Sequence, residues 1–447
     1  LLVSKKYLRE EKFMDKMADV LGRAGAWCGQ NKYLSAIKNA FQNFMPLTIA
    51  GAIGVLWCNV LVNEATGLGI FFKPIMALEF LNPAFQAVNF CTISCITVGI
   101  TLGIAQEIGV WNMGAEKAGY IPGLVGLAAW LSVTNTSHMV EGAKEAFTGI
   151  AGNELGATGL FTGMIIGVLS VELFCFFEKQ DALKIKMPEQ VPPGVARAFE
   201  VLVPATITLI ITACIGSACY NLTGLYLNDV IKNGIQGPLG AVGATIPGVM
   251  IIYLVIMLFW LVGIHGNNML SAVKEALFTP LALENVEKFN KGEKPTNIIN
   301  MYFLQMCGEF GGSGVTIGLV IAIMIFGKRE DNKAIASLSL IPGLFNINET
   351  VTFGIPMVLN PILGIPFVFA CLVTILVGYV LTVIGFCPVA CLTVPWTTPP
   401  IVFGFLATGA NVMGAVTQAI LIVVSTVIYV PFLIAYEKYQ NKQAAEA

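Results

Sequence analysis

The sequence predicts an all-α, polytopic membrane protein. Three observations predict it. Of 447 residues, 56% are hydrophobic and only 12% are charged, whereas soluble domains carry about 25% charged residues. So few polar groups could not cover a water-facing surface. Apolar runs near the roughly 20 residues that a helix needs to cross a hydrocarbon core of about 30 Å recur along the chain. They lack the alternation of barrel strands, and only helices or closed barrels satisfy their backbone in lipid.

The elements follow in order. Residues 1–32 read as an amphipathic helix on the cytoplasmic membrane face. Phe13, Met17, Val20, Leu21 and Trp27 recur at helical spacing between Lys and Arg residues. The charged start (Lys5, Lys6, Arg9, Glu10, Glu11, Lys12) lacks the apolar stretch of a cleavable signal peptide. Membrane spans are expected near 35–62, 85–106, 119–133, 157–177, 199–226 and 246–264. Basic residues cluster before the first span and in the loop holding Lys179, Lys184, Lys186 and Arg197; the outer loops offer little more than Lys73 and Lys144. The positive-inside rule then places the N-terminus in the cytoplasm.

The second half is less regular. The stretch 269–283 is interrupted by Lys274, Glu275 and Pro280, and 314–327 is short for a span. Lys328, Arg329 and Lys333 follow it and suit a cytoplasmic side, so simple alternation fails. A re-entrant hairpin or an extra short crossing is expected between Met269 and Gly314. Pro342, Pro356, Pro361 and Pro366 break 340–366. Spans resume at 367–386 and 412–436, separated by a stretch holding Pro388, Pro395, Pro399 and Pro400. The tail (Glu437, Lys438, Lys442) reads as cytoplasmic. The expected organisation is an N-terminal helix (1–32), a first membrane half (33–226), a linker (227–245) rich in glycine, and a second membrane half (246–447). Non-helical backbone at membrane depth survives only where it is buried in protein or lines a wet cavity. Transporters build their substrate sites from such broken helices.

Candidate chemistry concentrates there. One cluster is Gly263-Ile264-His265-Gly266-Asn267-Asn268. A second is Asn346-Ile347-Asn348-Glu349-Thr350, followed by Phe353-Gly354-Ile355-Pro356. A third is Pro395-Trp396-Thr397-Thr398-Pro399-Pro400, and a weaker one runs from Gly308 to Gly314 with Glu309 and Gly311. Together they suggest carbohydrate recognition. Sugar hydroxyls both donate and accept, and Asn, His, Glu and exposed backbone meet both needs. Trp offers an apolar platform for a pyranose face. A carboxylate at membrane depth costs about 2.5–3.5 kcal/mol or more, so Glu349 is a functional candidate. A structural partner for it, Lys333 or Arg329, is the competing reading.

Other chemistries lack their signatures. No Walker A, G-x-S-x-G or H-E-x-x-H sequence occurs. With two histidines and no C-x-x-C, no metal site or cofactor is expected. Most of the eleven cysteines sit in apolar stretches, where Cys packs as a small hydrophobe. A net charge of −2 without a basic patch excludes nucleic acid as a partner. From the residues alone, an ion-coupled secondary sugar transporter stays open as an alternative.

The clusters at Gly263–Asn268, Asn346–Pro356 and Pro395–Pro400, with Ala36–Phe41 leading into Met45-Pro46, resemble enzyme IIC of the bacterial sugar phosphotransferase system. The likeness is to its lactose/cellobiose type within the glucose superfamily, and most of all to permeases for N,N′-diacetylchitobiose. It runs from Phe13 to the last span. The resemblance implies a homodimer in the bacterial inner membrane, with about ten spans per subunit plus re-entrant hairpins and with both termini cytoplasmic. It implies a first half that dimerises and a second half that holds a β-linked disaccharide. Phosphocysteine on a separate enzyme IIB, charged through enzyme IIA, would phosphorylate the sugar's 6-hydroxyl. The matching positions imply Glu349 and His265 at that hydroxyl, with Glu349 as base. Asn267, Asn268 and Asn348 would hydrogen-bond the sugar and Trp396 would stack on it, with Gly266, Glu309, Gly311 and Asn346 in the same site. No cysteine lies in a soluble phosphate-cradling loop, so IIB is expected as a separate protein.

Overall fold

Asn31 opens the first long helix of the chain. In this computed structural model its Oδ1 accepts from the backbone N–H groups of Tyr33 and Leu34, at 3.1 Å each, and caps α1 (Lys32–Leu56). The structure describes residues 19–64, 69, 72–138, 146–188, 190–355 and 357–446. Residues 19–30 are helical. Phe13 and Met17 of the expected amphipathic helix, the basic residues from Lys5 to Lys16, Lys144 and Pro356 lie outside the described residues.

After α1 and a π-helical turn (Trp57–Leu61), a 3-10 stretch (Lys73–Leu81) leads into α2 (Asn82–Asn89). A second π-helical turn (Phe90–Ser94) and a bend of 42° precede α3 (Ile96–Met113). The regular span expected at 85–106 is therefore broken at Cys95. Two causes act at that point. The Thr92 hydroxyl donates to the Val88 carbonyl at 2.6 Å, competing with the helical ladder. A side chain at Gly51 of α1 would collide with Thr92 and Ile93, so α1 presses directly on the turn.

α4 (Ile121–Val133) has 13 residues and reaches only about 20 Å at 1.5 Å per residue. It packs with α3 and α5 (Ala157–Glu178), and α6 (Pro193–Thr223) follows. Glu178, buried at the end of α5, receives Arg197 at 3.1 Å and Lys117 at 2.8 Å. Ser137–His138 pairs antiparallel with Phe147–Thr148, the only strands among the described residues. The expected linker 227–245 is helical, in short pieces over Leu227–Ile231, Lys232–Gln236 and Gly237–Gly243, and bends by 76° into α7 (Ile246–Leu261).

α8 (Ser271–Asn290) runs unbroken through Pro280, where an interruption was expected. Pro280 is buried inside the helix, and tertiary packing outweighs the lost N–H. α9 (Met301–Gly308) packs on α8. A short turn (Ser313–Val315) joins α9 to α10 (Ile317–Phe326) across a bend of 59°. α11 (Glu330–Leu344), α12 (Glu349–Gly354) and α13 (Gly364–Val383) succeed one another with irregular joints, as the prolines predict. A non-helical stretch then leads to α14 (Val402–Ala407) and α15 (Val412–Glu446).

The chain is thus mainly helical. Five helices among the described residues are long and apolar enough to cross a membrane, and eight spans result if each bent pair counts as one. Two main hydrophobic cores form. One gathers Ile100, Ile104, Leu160 and Phe174 with Leu283 and Leu392. The other gathers Tyr253, Trp260, Phe278, Phe303, Phe367 and Tyr429.

The stretch before α14 has few backbone partners of its own. Gln418 of α15 supplies them: its Oε1 accepts from Ile401 N and Gly404 N at 2.7 Å each, and its Nε2 donates to Met306 O at 3.1 Å. Ile401 is held at φ +76°, a strained value for a β-branched residue. Gln418→Leu should leave three backbone groups unpaired, two of them buried at about 1–3 kcal/mol each. The expected result is a melting temperature several degrees lower in detergent; an unchanged melt would show that Gln418 does not hold this stretch.

Candidate functional site

α7 ends at Leu261, and the chain turns through Gly263, at φ +80°, into His265. His265 caps the short turn that follows, its Nδ1 accepting from Asn268 N at 3.2 Å. That bond assigns the proton of the neutral ring to Nε2. The ring lies against buried Trp260, with centroids 4.4 Å apart. Nε2 therefore faces Glu349 Oε1, the first residue of α12, at 3.8 Å. This gap is too long for a direct hydrogen bond, but an oxygen about 2.8 Å from both atoms fits over it. The side chains of His265 and Glu349 are 38% and 47% exposed, so both are open to a ligand. Glu349 does not take the structural partners considered for it. Lys333 pairs with Glu330 at 3.1 Å and Arg329 with Asp331 at 2.6 Å.

A second charged pair lies behind. Lys274 of α8, 6% exposed, contacts Glu309 and donates to Asn267 Oδ1 at 3.3 Å. Tyr253 donates its hydroxyl to Glu309 Oε1 at 2.7 Å, and Asn267 Nδ2 donates to Ser313 Oγ at 2.9 Å. Glu309 and Asn267, singled out as sugar ligands, are thus engaged with protein partners. Sequence reasoning treated Lys274 only as an interruption. The signal it carried was a cation in the middle of an apolar run.

Two asparagines hold the broken segments together. Asn346, at φ +63°, accepts from Gly311 N at 2.6 Å and donates to Thr398 O at 3.2 Å and to Trp396 O. One side chain thereby ties three chain segments at one point. Asn348, 4% exposed, donates to Ser313 O at 2.8 Å and to Thr352 Oγ1 at 3.2 Å. Gly312 makes that approach possible. It sits at φ +88°, and a Cβ there would fall 2.5 Å from Asn348 Cβ.

These elements enclose a cavity of about 260 Å³. His265, Asn267, Asn268 and Glu309 form part of its wall, and Asn346, Asn348, Glu349 and Trp396 form the rest of the expected set. Gly266 and Gly311 are not in the wall. A side chain at Gly266 would strike the backbone of Ile256, so its role is close packing. Lys274, Glu275, Gln305 and Ser313 also line the cavity and were not among the expected residues. Trp396 is 44% exposed, with its face available. No group of three or more metal-ligating side chains forms among the described residues.

Residues 38–371 match the family model described as "Phosphotransferase system, EIIC". The chain belongs to that family. It is 34% identical over 433 residues to the oligo-beta-mannoside-specific EIIC component of Bacillus subtilis (strain 168), covering 96% of this chain and 94% of that protein. It is 29% identical over 486 residues to the cellobiose-specific EIIC component of Lactococcus lactis subsp. lactis (strain IL1403), covering 96% and 98%. Its structure matches the crystal structure of the transporter ChbC, the IIC component from the N,N′-diacetylchitobiose-specific phosphotransferase system, with a TM-score of 0.85. That match has 29% identity and covers 94% of this chain and 97% of that one. The resemblance read from the three sequence clusters is borne out, and an ion-coupled transporter is not favoured.

The Lys274–Glu309 pair makes a clear prediction for this EIIC protein. Removing one charge strands the other, which costs about 3–5 kcal/mol for a buried pair. Lys274→Met and Glu309→Leu should each lower the melting temperature strongly, and the double variant should recover most of the loss. Additive losses in the double variant would show that the two charges do not compensate each other.

Proposed function

We propose that this EIIC protein imports a β-linked disaccharide of the diacetylchitobiose or cellobiose type and presents its 6-hydroxyl for phosphorylation. The observation that carries this reading is the 3.8 Å opening between His265 Nε2 and Glu349 Oε1 in a polar cavity among apolar helices. A hydroxyl set there donates its proton to Glu349 and accepts from the Nε2–H of His265. Such placement supplies orientation and general-base help together. The donor is phosphocysteine on a separate cytoplasmic enzyme IIB, recharged by enzyme IIA. The sugar oxygen bonds to phosphorus as the phosphorus–sulfur bond breaks. The proton goes to Glu349 and the electron pair leaves with the IIB thiolate. Asn268, which has a side-chain amide free of protein partners in this arrangement, hydrogen-bonds the sugar. Asn267 and Asn348 add acceptors, Trp396 stacks on the ring, and Asn346, Glu309, Gly266 and Gly311 shape the site.

The same reading assigns residues 33–226 to a scaffold that makes a homodimer and 246–447 to the half that holds sugar. The helical pieces over 227–245 link them, and their glycines give the second half freedom to shift. It places the protein in the bacterial inner membrane with about ten spans and with both termini in the cytoplasm.

Glu349→Gln should reduce phosphate transfer from phosphorylated IIB to the sugar by about 10²–10⁴-fold, the usual weight of general-base catalysis. It should also weaken sugar binding. Transfer in membrane vesicles and equilibrium binding to the purified protein check both. Near-normal uptake by that variant, or gradient-driven accumulation of unmodified sugar, would refute the assignment.

A further inference from the structure

We propose that Lys38 of α1 binds the phosphate of the sugar product, as the cation that receives the phosphoryl group once the 6-hydroxyl has taken it. This rests on the reading that the ring to be phosphorylated sits at His265 and Glu349.

Phosphoryl transfer depends on positioning and on positive charge set against the transferred group. The His265–Glu349 cavity supplies little of that charge. The one lysine in its wall, Lys274, is held by Glu309, and Glu275 and Glu349 are the remaining acids. The proposed reaction adds about −1.5 to −2 charges to this space. A cation without a carboxylate partner stands in the adjoining chamber.

That chamber, of about 420 Å³, shares Asn268 and Glu275 of the cavity wall. Lys38, Phe41, Gln42, Met45, Thr48 and Ile49 of α1 line it. Spacings of three, four and seven residues fall on one face of a helix. α1 therefore turns a single stripe toward the chamber, and Lys38 is its first residue. α1 and α8 run in the same direction. A Cβ at Gly29, just before α1, would lie 4.0 Å from Met269 Sδ, just before α8. Asn59, just after α1, donates to Asn290 Oδ1 at the end of α8, at 3.2 Å. Lys38 thus stands toward the Asn268 end of the chamber, which is common wall with the cavity, and Ile49 stands toward the Leu283 end.

Lys38 is half-buried and makes no ion pair or hydrogen bond among the described residues. Its neighbours differ: Lys32 pairs with Glu172 at 2.6 Å, and Lys274 with Glu309. An unpaired ionisable side chain among membrane helices is costly, and such residues mark functional sites. A lysine that only marked the end of α1 would extend its ammonium to water, whereas the stripe aims this one into a chamber. A phosphate is the partner it lacks, since an ammonium carries three donors and phosphate oxygens accept them. Glu275 and Glu349 repel the new phosphate while Lys38 attracts it, so the product is drawn off the acceptor position toward α1.

Equilibrium binding to purified full-length protein tests this, with cellobiose, diacetylchitobiose and the 6-phosphate of each. Lys38→Gln should weaken both 6-phosphates about tenfold or more and the unmodified sugars less than twofold. Lys38→Arg, which keeps the charge, should bind all four nearly as the wild type does, and a melt confirms folding of each variant. Equal weakening of sugar and sugar phosphate by Lys38→Gln would reduce Lys38 to a structural role and overturn the proposal. So would a wild type that binds the disaccharides and neither 6-phosphate. If Lys38→Gln binds the 6-phosphates as the wild type does while Glu349→Gln loses unmodified sugar, the phosphate role is wrong and the proposed function stands. If the wild type binds none of the four, both fall.

Discussion

Backbone that leaves the helix among apolar segments must find its hydrogen bonds inside the protein, and side-chain amides meet that demand throughout the second half of this chain. Asn285 bonds Thr296, Asn297 and Ala390, and Asn300 caps α9 while also reaching Ala390. Gln418 holds Ile401 and Gly404. Asn346 and Asn348 do the same around Gly311 and Ser313. A carboxamide both donates and accepts, carries no charge to desolvate, and is short enough to stay rigid. The irregular segments are therefore fixed pieces of architecture, and the cavity inherits its shape from them.

That rigidity bears on the chemistry. His265 gains its tautomer from one backbone N–H and its ring plane from Trp260. Glu349 is placed by α12, whose entry depends on the Asn346 and Asn348 anchors. The distance between His265 Nε2 and Glu349 Oε1 is thus set by residues that need not touch a substrate. Small errors in such positioning are expensive for catalysis. On the proposed assignment, this rigidity would serve a phosphoryl acceptor, which must be held in line with its donor.

Much of this was legible in the sequence, for physical reasons that also mark its limits. Charge scarcity and long apolar runs reveal lipid as the solvent. Glycine, proline and asparagine clusters reveal where the backbone departs from the helix, and the His265, Glu349 and Trp396 segments were found that way. Lys274 and Gln305 were not, because one polar residue in an apolar helix looks the same whether it pairs, packs or faces a cavity. The break at Cys95 was equally hidden. It depends on Gly51 of another helix lying against Thr92 and Ile93, a contact that no local pattern encodes. Pro280 misled in the opposite direction, since packing kept α8 intact around it.

The Lys274–Glu309 pair has a further consequence. Because these two charges cancel, Glu349 and Glu275 are left, among the described residues, as the acidic groups of that cavity without a Lys or Arg paired to them. A neutral sugar meets no electrostatic barrier there. On the proposed mechanism, phosphoryl transfer would add about −1.5 to −2 charges to the bound sugar, within a few ångströms of acidic side chains in a poorly screened chamber. The site that admits a neutral sugar would then repel its product, a one-way valve without any moving part of its own.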